Sequence, residues 1–190
     1  MSCGTITKGI TTSCSTKPVG GLEVDIYMAN RADIASVTKN VTNDLIVEGI
    51  TMVATKKFYK FSGLKQSNKA SAKMFKGPYF NSWDHGADLI IFSNNADTKA
   101  NIIEQLANGD VVLVINNKWK GTNGEQALEM LGYEVGLTGV TVERVSDDAD
   151  TQGAWKVTLG PPDGEHEPRT PLTIFDTNYA DSLAIVTALL

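Results

Sequence analysis

Cysteine and histidine are nearly absent from this chain, which has two of each in 190 residues. Cys3 and Cys14 lie within the first fourteen residues, have no CxxC spacing and sit far from either histidine, so they do not form a zinc site. A disulfide between them would close only a small N-terminal loop, so both read as ordinary thiols. His85, in Trp83-Asp84-His85-Gly86, reads as a turn or core-edge residue. His166 lies between Glu165 and Glu167 on a mobile loop, where the three would hold a metal only weakly.

Motifs of nucleotide and nucleophile chemistry are missing too. No Gly-x-Ser-x-Gly elbow is present to expose a serine. Gly121-Thr122-Asn123-Gly124 lacks the Lys-Ser/Thr that completes a phosphate-binding loop, and no GxGxxG opens a helix. Asp147 and Asp148 are adjacent in a polar loop, where both carboxylates stay solvated rather than tuned as an acid–base pair. No catalytic, metal or cofactor-binding residue is expected, and no cofactor.

Long apolar runs are lacking. None approaches the ~20 residues that cross a bilayer. Met1–Gly21 is Thr-, Ser- and Gly-rich and has no apolar stretch of a secretory leader. The expectation is a soluble protein made in the cytoplasm. A basic excess is absent as well: the formal charge is −5, which argues against a dedicated nucleic-acid binder and suits a surface past which DNA slides.

What is present is the residue mix of pleated sheets and turns, prominent in Thr, Val, Ile, Gly and Asn. Leu22–Met28 alternates apolar and polar, the period-2 mark of a half-buried strand. Ala32–Lys39 is read as a short helical turn, and Leu45–Ala54 as strands interrupted at Gly49. Lys57–Phe61 alternates again and sets Phe58 and Tyr59 on opposite faces. Ser62–Met74 has little apolar support and reads as a long connection or an exposed hairpin. Ala87–Phe92 and Asp110–Asn116 are buried strands.

Asn95–Ala107 is the clearest helix, with Ala96, Ala100, Ile103 and Ala107 at helical spacing, Ile102 and Leu106 widening the stripe, and Gly109 as its stop. Gln126–Leu137 is read as strand, with Ala127, Glu129, Leu131 and Tyr133 on one face. Val140–Val145 and Ala154–Leu159 pair across an acidic loop. Gly160–Pro171 carries four prolines and is a loop. Leu172–Phe175 is a last strand, and Asn178 caps a helix over Tyr179–Leu190.

The fold class expected is therefore mainly β (α+β): an antiparallel barrel or sandwich of six to nine strands, with one central helix and a C-terminal helix. Residues 1–21 form a flexible N-terminal arm and 22–190 a single domain.

One charge feature stands out. Lys56, Lys57, Lys60, Lys65, Lys69, Lys73 and Lys76 lie within twenty-one residues, interleaved with Phe58, Tyr59, Phe61 and Phe75. Basic residues among aromatics can read nucleic acid, but a strand with solvated lysines followed by an exposed loop is the simpler reading. A third reading pairs them with the acidic Asp147, Asp148 and Asp150, and with Asp163–Glu167, on a neighbouring copy. Opposite patches on one chain build head-to-tail contacts, hence rings and tubes. These lysines and aspartates are the expected subunit interface.

Several strings carry a resemblance to a known group. They are Cys3-Gly4, Pro18–Glu23, Gly63–Lys69, Lys118–Gly124 (KWKGTNG), Glu129–Leu137, Asp150–Ala154 and Pro168–Pro171. Together they resemble virion structural proteins of tailed phages of Bacteroidetes-type hosts, and among these the major tail tube proteins. That resemblance implies a β-barrel or sandwich flanked by a helix, hexameric rings joined by arms and loops, genomic DNA passing through without specific binding, and location in the virion. A head decoration protein or head–tail connector ring, and a cellular β-sandwich binding module, are the alternatives.

Overall fold

The computed structural model describes residues 6–10, 18–64 and 66–190. Most of the arm, including Cys3 and Cys14, and the interface candidate Lys65 lie outside them. The described chain forms eleven strands: β1 (Asp25–Asn30), β2 (Ile34–Lys39), β3 (Ile46–Met52), β4 (Tyr59–Ser62), β5 (Lys69–Lys76), β6 (Asn81–Ile91), β7 (Val111–Asn116), β8 (Leu128–Leu131), β9 (Thr138–Arg144), β10 (Trp155–Gly160) and β11 (Leu172–Ile174). A central helix spans 96–108 and a C-terminal helix Tyr179–Thr187. The mainly β class is as the sequence indicates, with more strands than the six to nine expected.

Two sheets organise the molecule. Seven strands run in the order β2-β3-β11-β8-β7-β1-β4, with only β11 and β3 parallel; four antiparallel strands run β5-β6-β10-β9. The seven-stranded sheet is the middle layer, and its strand β7 shows why Asp110–Asn116 is so apolar. Val111, Leu113 and Ile115 face the four-stranded sheet and pack on Leu89, Val157 and Leu159. Val112 and Val114 face the other way, into a second core closed by Val186 of the C-terminal helix. A strand buried on both faces needs no polar alternation. Both cores belong to this one sheet, which explains how a chain of this length supports three layers.

Local signals fix the helices. Asn178 Oδ1 accepts from the Asp181 N–H at 3.1 Å, the expected N-cap. Asn95 caps the central helix in the same way, at 2.7 Å to the Thr98 N–H. The buried face of that helix differs from the alanine-based stripe: Thr98, Ile103 and Leu106 are buried, whereas Ala96, Ala100 and Ala107 are exposed. The cause is a π turn over Lys99–Ile103, which widens the spacing and rotates the stripe.

Two further expectations are corrected. Ala32–Lys39 is not a helical turn: a single 3-10 turn, Arg31–Asp33, leads straight into β2. Gly49 does not interrupt β3; it pairs with Thr38, and a β-bulge lies just beyond. Of the two readings of Ser62–Met74, the exposed hairpin is the one found from Lys69 onward, where β5 pairs residue by residue with β6.

Candidate functional site

The β5–β6 hairpin outgrows the sheet that carries it. β10 pairs with β6 only from Ala87 to Ile91, whereas β5 pairs along Asn81–Asp88. The outer half is thus a two-stranded arm, and β5 is exposed along most of its length. Lys76 and Asn81 close the ladder, leaving the four-residue turn Gly77-Pro78-Tyr79-Phe80, a common hairpin loop length. A Cβ on Gly77 would strike the Phe80 carbonyl oxygen, so glycine is what lets the turn close. Tyr79 is 89% exposed and Phe80 82%.

The base of the arm is braced from both sides. His85 and Ala87 point into the core, so Asp84 and Asp88 stand on the outer face of β6. There His166 Nδ1 meets Asp84 Oδ1 at 2.6 Å, and its ring stacks on Phe75 with centroids 3.7 Å apart. Trp83 and Glu167 exchange backbone hydrogen bonds of 2.8 and 2.9 Å. The Glu165–Glu167 segment is therefore a fixed brace rather than a mobile loop.

On the inner face, two side chains collect the N–H groups of the turn that follows β8. Gly132, at φ +73°, begins that turn. Its N–H donates to His85 Nδ1 at 3.2 Å, while His85 Nε2 faces the Arg169 carbonyl oxygen at 3.0 Å. That pair of contacts defines a neutral ring with its proton on Nε2. Glu167 Oε1 accepts from the N–H groups of Glu134 and Val135, both at 3.0 Å. Burial pushes the Glu167 carboxyl above its usual range, opposed by those N–H bonds. The sequence reading of His85 as an edge residue missed this clamp, for it joins residues that only the topology brings together.

Burial also holds His85 below the ordinary imidazole range, against weaker support from the Arg169 carbonyl and Asp84. Stability from this group is complete above the unfolded value of 6.5 and falls as pH drops through the lower folded value. The urea midpoint is expected to fall between about pH 7.5 and pH 5.5, and to fall less in His85→Asn. Equal losses in both proteins would remove His85 as the cause.

The structure separates the six described lysines of that stretch. Lys56 Nζ lies 3.2 Å from Asp33 and Lys60 Nζ 3.5 Å from Asp25, while Lys57 sits over the Tyr59 ring at 5.4 Å. Lys69 and Lys73 stand opposite Asp88 and Asp84 in the β5–β6 register. Of the acidic set, Asp148 is engaged by its own loop, accepting from the Asp150 N–H at 3.0 Å and the Thr151 hydroxyl at 2.9 Å. These bonds hold its carboxyl below the usual range. Asp147 and Asp150 are exposed. Lys73 and Lys76 are carried toward the hairpin tip.

The lysine that sequence reading passed over is Lys120. Its Nζ lies 2.6 Å from Asn116 Oδ1, 3.3 Å from Glu23 Oε1 and 4.7 Å from the Tyr179 ring centroid, tying the KWKGTNG turn to the C-terminal helix. Among the described residues no three of His, Cys, Asp and Glu gather closely enough to hold a metal, and no helix is long and apolar enough to cross a membrane.

By fold the chain is a β-sandwich with a projecting hairpin and four strands, β2, β4, β5 and β9, at the edges of its sheets. No family model, curated protein or solved structure matches it.

Proposed function

We propose that this chain is a structural subunit that assembles with copies of itself, and that its place is the tail tube of a bacteriophage, as stacked hexameric rings enclosing the channel for DNA. The observation that carries the reading is the hairpin tip. Two aromatic side chains are held in water at the end of an arm built from an edge strand exposed on both faces. An exposed strand edge is a template for pairing, and exposed aromatic surface favours a partner. The longest edge, β5, carries Lys69, Lys73 and Lys76 along its length, a charged edge that suits controlled association rather than open aggregation. The net charge of −5 suits a wall that lets DNA pass. The phage assignment itself rests on the sequence resemblance.

Negative-stain microscopy of the purified protein tests it. The expected result is tubes of stacked rings. Closed rings or caps without tubes would favour the head decoration or connector role, and dispersed monomers at every concentration would sink the assembly reading.

A further inference from the structure

The hairpin tip has a matching groove at the other end of the same strand. β6 is eleven residues long, about 35 Å at strand rise. The tip projects from its N-terminal end. Beyond its C-terminal end, the central helix packs on β9 and stands across from β1 and β4, leaving a groove of about 400 Å³ between them. Met28, Phe61, Ile102 and Leu106 form its floor, and Tyr59 and Asn101 stand exposed on its walls. A volume of that size falls in the range that takes an organic group of several rings. The tip of the same chain is a strand's length away and cannot enter it.

Charge divides the same way. Over Lys69–Gly86 the hairpin has three lysines and one aspartate, a formal +2. Over Asn95–Asp110 the helical segment has three acidic residues and one lysine, a formal −2. The β9–β10 loop, with Asp147, Asp148 and Asp150, lies at that same end, since Trp155 pairs with Ile91 and donates its indole N–H to Asn94 at 3.0 Å. An aromatic knob flanked by Lys73 and Lys76, and an apolar groove with the acidic helical segment on one wall and Lys60 on the other, thus lie toward opposite ends of β6.

We propose that Tyr79 and Phe80 of one copy dock into the groove between β4 and the central helix of the next. The inference rests on the assembly reading above and names the contact within it. Knob and groove are different surfaces, so the contact is heterologous and repeats head to tail, closing into a ring or continuing as a filament according to the rotation it imposes. Lys73 and Lys76 then approach the acidic helix and loop of the neighbour.

Two variants, each altered only at exposed positions, test the pairing. Tyr79→Ser/Phe80→Ser removes the knob and leaves the groove. Tyr59→Lys/Asn101→Lys blocks the groove with like charge and leaves the knob. Sedimentation velocity is expected to show each variant alone as a monomer, folded by circular dichroism, and a one-to-one mixture as heterodimers that grow no further. Variants that assemble like the parent would overturn this contact while leaving the assembly reading standing. A parent that stays monomeric would overturn both. Loss in the tip variant with none in the groove variant would also overturn it, by pointing to a tip-to-tip contact.

Discussion

Glu167→Ala is expected to lower stability by about 2–4 kcal/mol. The carboxylate is 3% exposed and satisfies the N–H groups of Glu134 and Val135, while its own backbone is bonded to Trp83. Removing it leaves two part-buried donors without that partner, at roughly 1–3 kcal/mol each, partly offset by relief of the buried charge. In a chain of this size each kcal/mol moves the melting temperature by about 2–4 °C, so a drop near 10 °C should be seen by calorimetry. Glu167→Gln keeps an acceptor oxygen at the same reach and should lose about half as much. A Glu167→Ala protein that melts with the parent would show that the clamp contributes nothing.

Phe58→Ala is expected to cost more, about 3–5 kcal/mol, the usual range for truncating a buried aromatic. Its ring is 1% exposed in the core beneath the C-terminal helix, and its N–H donates to the Leu189 carbonyl at 2.8 Å. Truncation opens a cavity where that helix meets the sheet. The neighbouring Tyr59→Ala should change stability by no more than about 0.5 kcal/mol, since Tyr59 is 51% exposed. Denaturant midpoints of the two variants provide the comparison. Equal losses would mean that the two faces of this strand are wrongly assigned.

That pair also shows which parts of the fold the sequence makes legible. Phe58 and Tyr59 must point oppositely in any strand, and the alternation around them is a local signal. The same holds for β7, for the β9–β10 pair and for Asn178 as a cap: each depends on residues within a few positions. β5 is different. Lys69–Met74 alternates polar with apolar residues, but only Ala70 packs on the core, so the strand is held mainly by backbone pairing with β6 and its alternation has little burial behind it. β2 is hidden for a related reason, its pattern being too short and too polar to compete with the turn before it. The shifted stripe of the central helix follows from one π turn that no residue type announces.

The candidate site divides along the same line. The lysine-rich stretch is visible as composition, but its partition is not. Asp33 and Asp25 engage Lys56 and Lys60 from other strands, and only the register brings Asp88 and Asp84 opposite Lys69 and Lys73. Tyr79 and Phe80 follow a Gly-Pro pair and carry no motif of their own. Their meaning depends on the length of β6 and on what lies at its far end, which only the folded chain supplies.

The central claim is self-association through opposite ends of one molecule. It is tested most directly by sedimentation of nuclease-treated protein across a salt series. Screening shortens from about 8 Å at physiological ionic strength to about 3 Å at 1 M. The account predicts assemblies many subunits in mass at low salt, and a shift toward smaller species as salt rises and the hairpin lysines lose the neighbour's carboxylates. Charge reversal at Lys73 and Lys76 should produce the same shift without unfolding the monomer. A monomer at every salt concentration, binding tightly to added DNA, would contradict the account and assign these lysines to nucleic acid.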